Sequence, residues 1–137
     1  MEFEKSPYFE SYNPYKLELA FGHYYFCKNL IVAEPFEGVH FNWDMAKVLI
    51  HEIHNHYGKN TKVCYVANRI NAYSIDPQNW LRIEKEYDTL VASAIVVYNK
   101  ASYINASLEK HFTQKSIKRC LSLDEALNWV KNLKEFN

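Results

Sequence analysis

The 137-residue chain holds only three glycines, Gly22, Gly38 and Gly58. A phosphate-cradling loop needs several glycines within one turn, so no Gly-rich nucleotide motif can be drawn. No GxSxG nucleophile elbow occurs either. Cysteine is scarce. Cys27, Cys64 and Cys120 are odd in number, far apart, set in strand-like segments and free of any CxxC pairing. That pattern reads as buried free thiols in a reducing cytosol. Formal net charge is +0, so no broad field steers the chain toward nucleic acid or an anionic membrane. No apolar run approaches the roughly 18 residues of a membrane helix. The opening "MEFEKSPYFESYNPYK" has no basic start followed by an apolar run, so no secretion signal is read there. The expectation is a cytoplasmic protein with no membrane span and no nucleic-acid partner.

Apolar and aromatic residues are plentiful, 48% and 16% of the chain. One domain of this length can bury a real core with them. Residues 1–14, with Pro7 and Pro14 and no period, read as an arm laid on the surface through Tyr8, Phe9 and Tyr12. Residues 15–137 read as a single α/β domain. "HYYFC" and "LIVAE" flank Lys28 and Asn29, a two-residue connection suited to a tight hairpin because Asn tolerates positive φ. Asn42 is the N-cap expected for the helix that follows, with Asp44 in its first turn and Gly58 at its end. Ala46, Leu49, Ile50, Ile53 and Tyr57 form its apolar stripe.

"KVCYVAN" reads as a strand, and Asp76-Pro77 as the start of the next helix, with Asp as cap and Pro at the first helical position. Trp80, Ile83, Glu84 and Tyr87 share a face of that helix. "LVASAIVVYN" is almost wholly apolar, which suits a strand covered on both faces of a parallel sheet. "SYINASLEKHF" predicts a helix with Ile104, Leu108 and Phe112 in line. "SIKRC" predicts a short strand. In "SLDEALNWVKNLKEF", Ser122 and Glu125 form a capping box before a stripe of Leu123, Ala126, Leu127, Val130 and Leu133. An N-terminal hairpin leads into alternating strands and helices, which makes an α/β sandwich with a mixed sheet.

Catalytic constellations are weak. His51, His54 and His56 suggest a metal, yet at 100° per residue His56 lies about 160° round the helix from His54. The HExxH spacing fails too, because Asn55 stands where the second His is required. A two-His site would need His40 or His111. His23 and Cys27 share a strand face and meet only if the strand bends. No pair of carboxylates is read at the end of a buried strand, except loosely through Asp76. No cofactor, no metal and no enzyme activity are expected.

The richest stretch is "CYVANRINAYSIDPQNW". It starts as a buried strand, ends as a helix, and places Asn68, Arg69, Asn71, Tyr73, Ser74 and Asp76 between them. Open α/β sheets bind ligands at the carboxyl ends of their strands, where crossovers leave in opposite directions. Tyr98 and Asn99 end the next strand and join the candidate surface. The coming helix adds free N–H groups near Ser74 and Asp76. A purely structural reading stays open: Asp76 caps, Ser74 bonds locally, Tyr73 covers the core edge and Arg69 is solvated.

The element order, this loop, "EGVHFNWDMAKVLI" and the ending "IKRCLSLDEALNWV", with Glu125, Ala126 and Trp129 matching an EA-x-x-W helix, together resemble the SpoIIAA-like branch of the STAS family over roughly residues 17–133. The resemblance implies a four- or five-stranded sheet with helices mainly on one face. It also implies a non-catalytic module. Some relatives are switched by phosphorylation of a Ser at the start of the second helix, and Ser74 stands nearest that position. Here "YSIDP" replaces the family's Asp-Ser-Ser/Thr-Gly turn, and Asp76 would repel a phosphate. Three functions follow in order. The first is a STAS-like binding or regulatory module whose protein partner docks on loop 68–76. The second is a carrier of a small apolar ligand such as a lipid, lined by the many aromatics. The third is a His-based metal-dependent hydrolase. The aromatics of the arm also suggest a homodimer.

Overall fold

Residues 1–110 and 115–134 are described in a computed structural model. A single 3-10 turn (Phe3–Lys5) and α1 (Tyr8–Tyr12) lead into β1 (Tyr15–Leu19), β2 (Gly22–Phe26) and β3 (Leu30–Pro35). There follow β4 (His40–Phe41), α2 (Trp43–Tyr57), β5 (Val63–Asn68), β6 (Ser74–Ile75), α3 (Gln78–Glu86) and β7 (Leu90–Val96). The chain continues through α4 (Lys100–Glu109), β8 (Ser116–Cys120) and α5 (Leu123–Lys131).

Turn chemistry sets the first strands. Asn29 takes φ 69°, and the Cys27 N–H donates to Leu30 O at 2.9 Å, closing the two-residue hairpin. β1, β2 and β3 pair antiparallel, and β5, β7 and β8 add to β3 in parallel. The six-stranded order is β1-β2-β3-β5-β7-β8. Gly22 sits opposite Pro35, where a Cβ would lie 2.7 Å from the Pro35 Cα; only glycine permits that approach. β4 and β6 form a separate two-residue parallel bridge.

Strands buried on both faces divide their side chains by parity. Tyr65 and Ala67 pack with Leu49, Ile50 and Ile53 of α2, Trp80 and Ile83 of α3, and Ala106 of α4. Cys64 and Val66 pack with Leu123, Ala126, Leu127 and Val130 of α5. The N-terminal arm shares this second core: Phe3 is fully buried, with Tyr8, Phe9 and Tyr12 beside it. Tyr8 hydrogen-bonds Asp124 of α5, and the Tyr25 hydroxyl donates to Glu4 at 3.0 Å. The arm's aromatics are therefore packed on their own sheet, which removes their exposure as a reason for dimerisation.

The expected caps are in place. Asn42 accepts from the Met45 N–H at 3.0 Å, and Ser122 from the Glu125 N–H at 3.1 Å. Glu125 reaches back to the Leu121 N–H, one residue beyond the N-cap N–H that the usual capping box pairs. One helix departs from its reading. In α4 Ile104 is 52% exposed, and among the described side chains Ala106 and Glu109 are buried. The Leu108 side chain, His111 and Phe112 lie outside what is described. All three cysteines are buried and none is in a disulfide.

Candidate functional site

β5 and β7 run parallel with Asn68 opposite Val96, and the Arg69 N–H donates to Val96 O at 3.0 Å. Arg69 and Asn99 thus leave the sheet at one rim. The rim is not a topological switch point, however. From β3 to β8 the strand order advances one way, so no reversal of crossovers opens a crevice. What shapes the rim is side-chain parity: Asn68 and Arg69 turn to opposite faces.

Asn68 faces α5 and is closed over by the arm. Its Nδ2 donates to Glu34 Oε2 at 2.8 Å and to Met1 O at 2.8 Å. The Tyr98 hydroxyl donates to Asn68 Oδ1 at 2.6 Å. The Phe3 N–H donates to the same Glu34 oxygen at 2.8 Å. Burial raises the Glu34 pKa, and the bonds from Phe3 and Asn68 pull it partly back. Burial, with help from Glu34, pushes the Tyr98 hydroxyl up to about 12.

Arg69 faces α3 and α4, and it is not solvated. Only 8% of it is exposed, and it pairs with Glu109, 1% exposed, at 2.6 Å. The Trp80 indole N–H donates to the same Glu109 Oε1 at 2.9 Å. Arg69 Nε donates to the Tyr73 hydroxyl at 3.2 Å, and the guanidinium lies 5.4 Å from that ring. Burial works against the Arg69 charge, but Tyr73 and Glu109 outweigh it, so its pKa rises. Burial also raises the Tyr73 pKa. An ion pair this deep is worth keeping only if further hydrogen bonds complete it, and Trp80 and Tyr73 supply them. A cavity of about 260 Å³ opens against the pair, bounded by Ser74, Ile75, Pro77 and Asn105.

The remaining candidates are mostly structural. Asn71 Nδ2 donates to Pro35 O at 3.0 Å. Asp76 accepts from the Gln78 N–H at 3.1 Å and Asn99 from the Ser102 N–H at 2.8 Å, so each ties down the start of a helix, although Pro77, not Asp76, is the N-cap of α3. Ser74 is exposed on β6 and shares a 2.7 Å hydrogen bond with His40 Nδ1. The three helical histidines diverge. His54 bonds Thr89 at 2.9 Å, His56 stacks on Tyr15 with ring centroids 5.2 Å apart, and His51 is exposed.

Glu34 and Glu109 escape the sequence reading. Glu34 is an acid inside the otherwise apolar run "LIVAEP", at the end of a buried strand, and that was the available signal. Glu109 follows Ala106 by one helical turn, but the Ile104 stripe drew attention to the wrong face.

A second depression, of about 380 Å³, lies on the same rim, lined by Val97, Tyr98, Asn99, Lys100, Tyr103 and Leu121. Tyr98, Tyr103 and Leu121 are 42%, 38% and 70% exposed. Between the sheet and α2 and α3, by contrast, the apolar void is about 20 Å³, room for little more than one water.

No family model matches the chain, and no curated protein matches its sequence. Its structure is similar to the crystal structure of an uncharacterised protein of the DUF3478 family with a SpoIIAA-like fold, from Shewanella loihica PV-4. The TM-score is 0.52 at 11% identity, over 85% of this chain and 91% of that one. The fold is SpoIIAA-like. This SpoIIAA-like sheet carries six strands where the resemblance implied four or five. α2, α3 and α4 share one face, and α5 with the arm covers the other. Among the described residues, no helix of the SpoIIAA-like domain is long and apolar enough to cross a membrane.

Proposed function

We propose that the chain is a non-catalytic, STAS-like binding module that docks a protein partner on the carboxyl rim of its sheet. The observation that carries this reading is the exposed apolar groove of Tyr98, Tyr103 and Leu121 beside loop 68–76. Exposed aromatics clustered on one patch are the usual core of a protein interface. The buried Arg69–Glu109 pair supports it by holding Tyr73 and the loop in a fixed shape, which lowers the ordering cost of docking. Within that surface Ser74 is exposed, and a phosphate there would break its bond to His40 and add charge. The thiols, none in a disulfide, fit a cytoplasmic setting. They do not favour cysteine catalysis: burial pushes the Cys27 thiol up to about 12 and the Cys120 thiol up to about 11. The 20 Å³ void speaks against a lipid carrier.

A photo-crosslinking residue at Leu121 should capture one discrete partner in the native host, while the same residue at His51 should not. Leu121→Asp should abolish the adduct made from a crosslinker at Tyr103. Capture that is equal at Leu121 and His51 would defeat the proposal.

A further inference from the structure

The Arg69–Glu109 cavity is incomplete in its hydrogen bonding. Glu109 Oε1 accepts from Arg69 and from Trp80, while Glu109 Oε2 is buried with no partner among the described residues. A buried carboxylate oxygen left unpaired is an expensive arrangement, and it calls for a donor. The cavity beside it measures about 260 Å³ and presents Arg69, Tyr73, Asn105, Ile75 and Pro77 along with Glu109.

Charge narrows the class of donor. Arg69 and Glu109 cancel within their pair, so the site carries no formal net charge. A cation reaching Oε2 would sit beside the guanidinium, and an anion on Arg69 would sit beside the carboxylate. Both are penalised where water is excluded. A neutral donor meets neither penalty. The other groups ask for more than one contact. The Tyr73 oxygen accepts from Arg69 Nε, which leaves its own proton to be donated. Asn105, exposed at the mouth, offers both a donor and an acceptor. A hydroxyl gives and receives through one oxygen, and neighbouring hydroxyls do so twice. Ile75 and Pro77 supply an apolar wall for C–H groups. The volume lies below the range of roughly 300–1,000 Å³ for drug-sized ligands, which suits something of monosaccharide size.

We propose that this cavity binds a small neutral polyhydroxyl molecule of the carbohydrate class, with one hydroxyl donating to Glu109 Oε2 and another meeting Tyr73 and Asn105. The inference goes beyond partner docking. It uses a different depression of the rim, so either can fail alone.

The three tryptophans each give one indole N–H signal, and that of Trp80 bonds the very carboxylate in question. The ¹⁵N-labelled full chain is titrated with glucose, galactose, mannose and myo-inositol, with glucosamine and gluconate as charged controls. A saturable shift of the Trp80 indole is expected for at least one neutral probe, with a Kd near about 1 mM, and binding at least about tenfold weaker for both charged controls. Asn105→Leu, at an exposed position outside the ion pair, should weaken binding at least about tenfold and leave the free spectrum folded. The proposal is overturned if no neutral probe moves Trp80 at tens of millimolar, the result if water alone completes Oε2. It is equally overturned if Asn105→Leu changes nothing, or if the charged controls bind as well.

Discussion

Glu34 is 4% exposed, and its pKa lies above the ordinary 4.5 because burial disfavours the carboxylate. The folded chain therefore holds the proton more tightly than the unfolded chain. Its contribution to stability is complete below pH 4.5 and is lost as pH rises through the folded value. Glu34→Gln keeps an oxygen for the Phe3 and Asn68 donors but removes the titration. Urea midpoints of the wild type should fall relative to this variant between pH 4.5 and neutrality; parallel curves would refute the assignment. Tyr24 presents the simpler case. It is fully buried, and its hydroxyl has no partner among the described residues. Tyr24→Phe removes that unpaired group without changing the ring, so unfolding free energy should rise by about 1 kcal/mol in a urea titration.

Elements fixed by local chemistry are the ones readable in advance. Asn29 in its turn, and Asn42 and Ser122 at their helix starts, each act within four residues of themselves. The arm obeys no such rule. Its 3-10 turn has no period to detect, and it is held through contacts such as Phe3 to Glu34, 31 positions away. Phe3 touches Phe9 and Tyr25 with ring centroids 6.0 and 5.1 Å apart. Truncating a fully buried Phe removes its transfer energy and leaves a cavity. Phe3→Ala should therefore cost about 3–5 kcal/mol in a urea titration. It should also raise amide exchange selectively in residues 1–12, because the arm's anchor is gone. A loss below about 1 kcal/mol, small for a buried aromatic, would show that the arm does not belong to the core.

Across the whole molecule, the alternation of strands and helices and the common rim were legible because buried apolar runs and polar exits alternate along the sequence, whereas the one-way strand order, with no crossover reversal at the rim, was not. The interior of the site was not. Arg69 and Glu109 stand 40 positions apart, Trp80 and Glu109 stand 29 apart, and no spacing rule joins them. Arg69 looks like a solvated loop residue until the fold supplies a buried acid. The pair can be tested as a unit. Removing one partner leaves the other charged and buried, so Arg69→Met or Glu109→Leu alone should each cost about 3–5 kcal/mol. Removing both leaves no orphaned charge, so the double variant should be more stable than either single one, although the Trp80 N–H loses its acceptor in it. Additivity within about 0.5 kcal/mol would mean that the two residues are not coupled. The groove of Tyr98, Tyr103 and Leu121 contains neither residue. Partner capture from Leu121 should therefore persist in the folded double variant but weaken, because the loop loses the pair that braces it, while the cavity at Glu109 loses the acceptor on which its ligand depends.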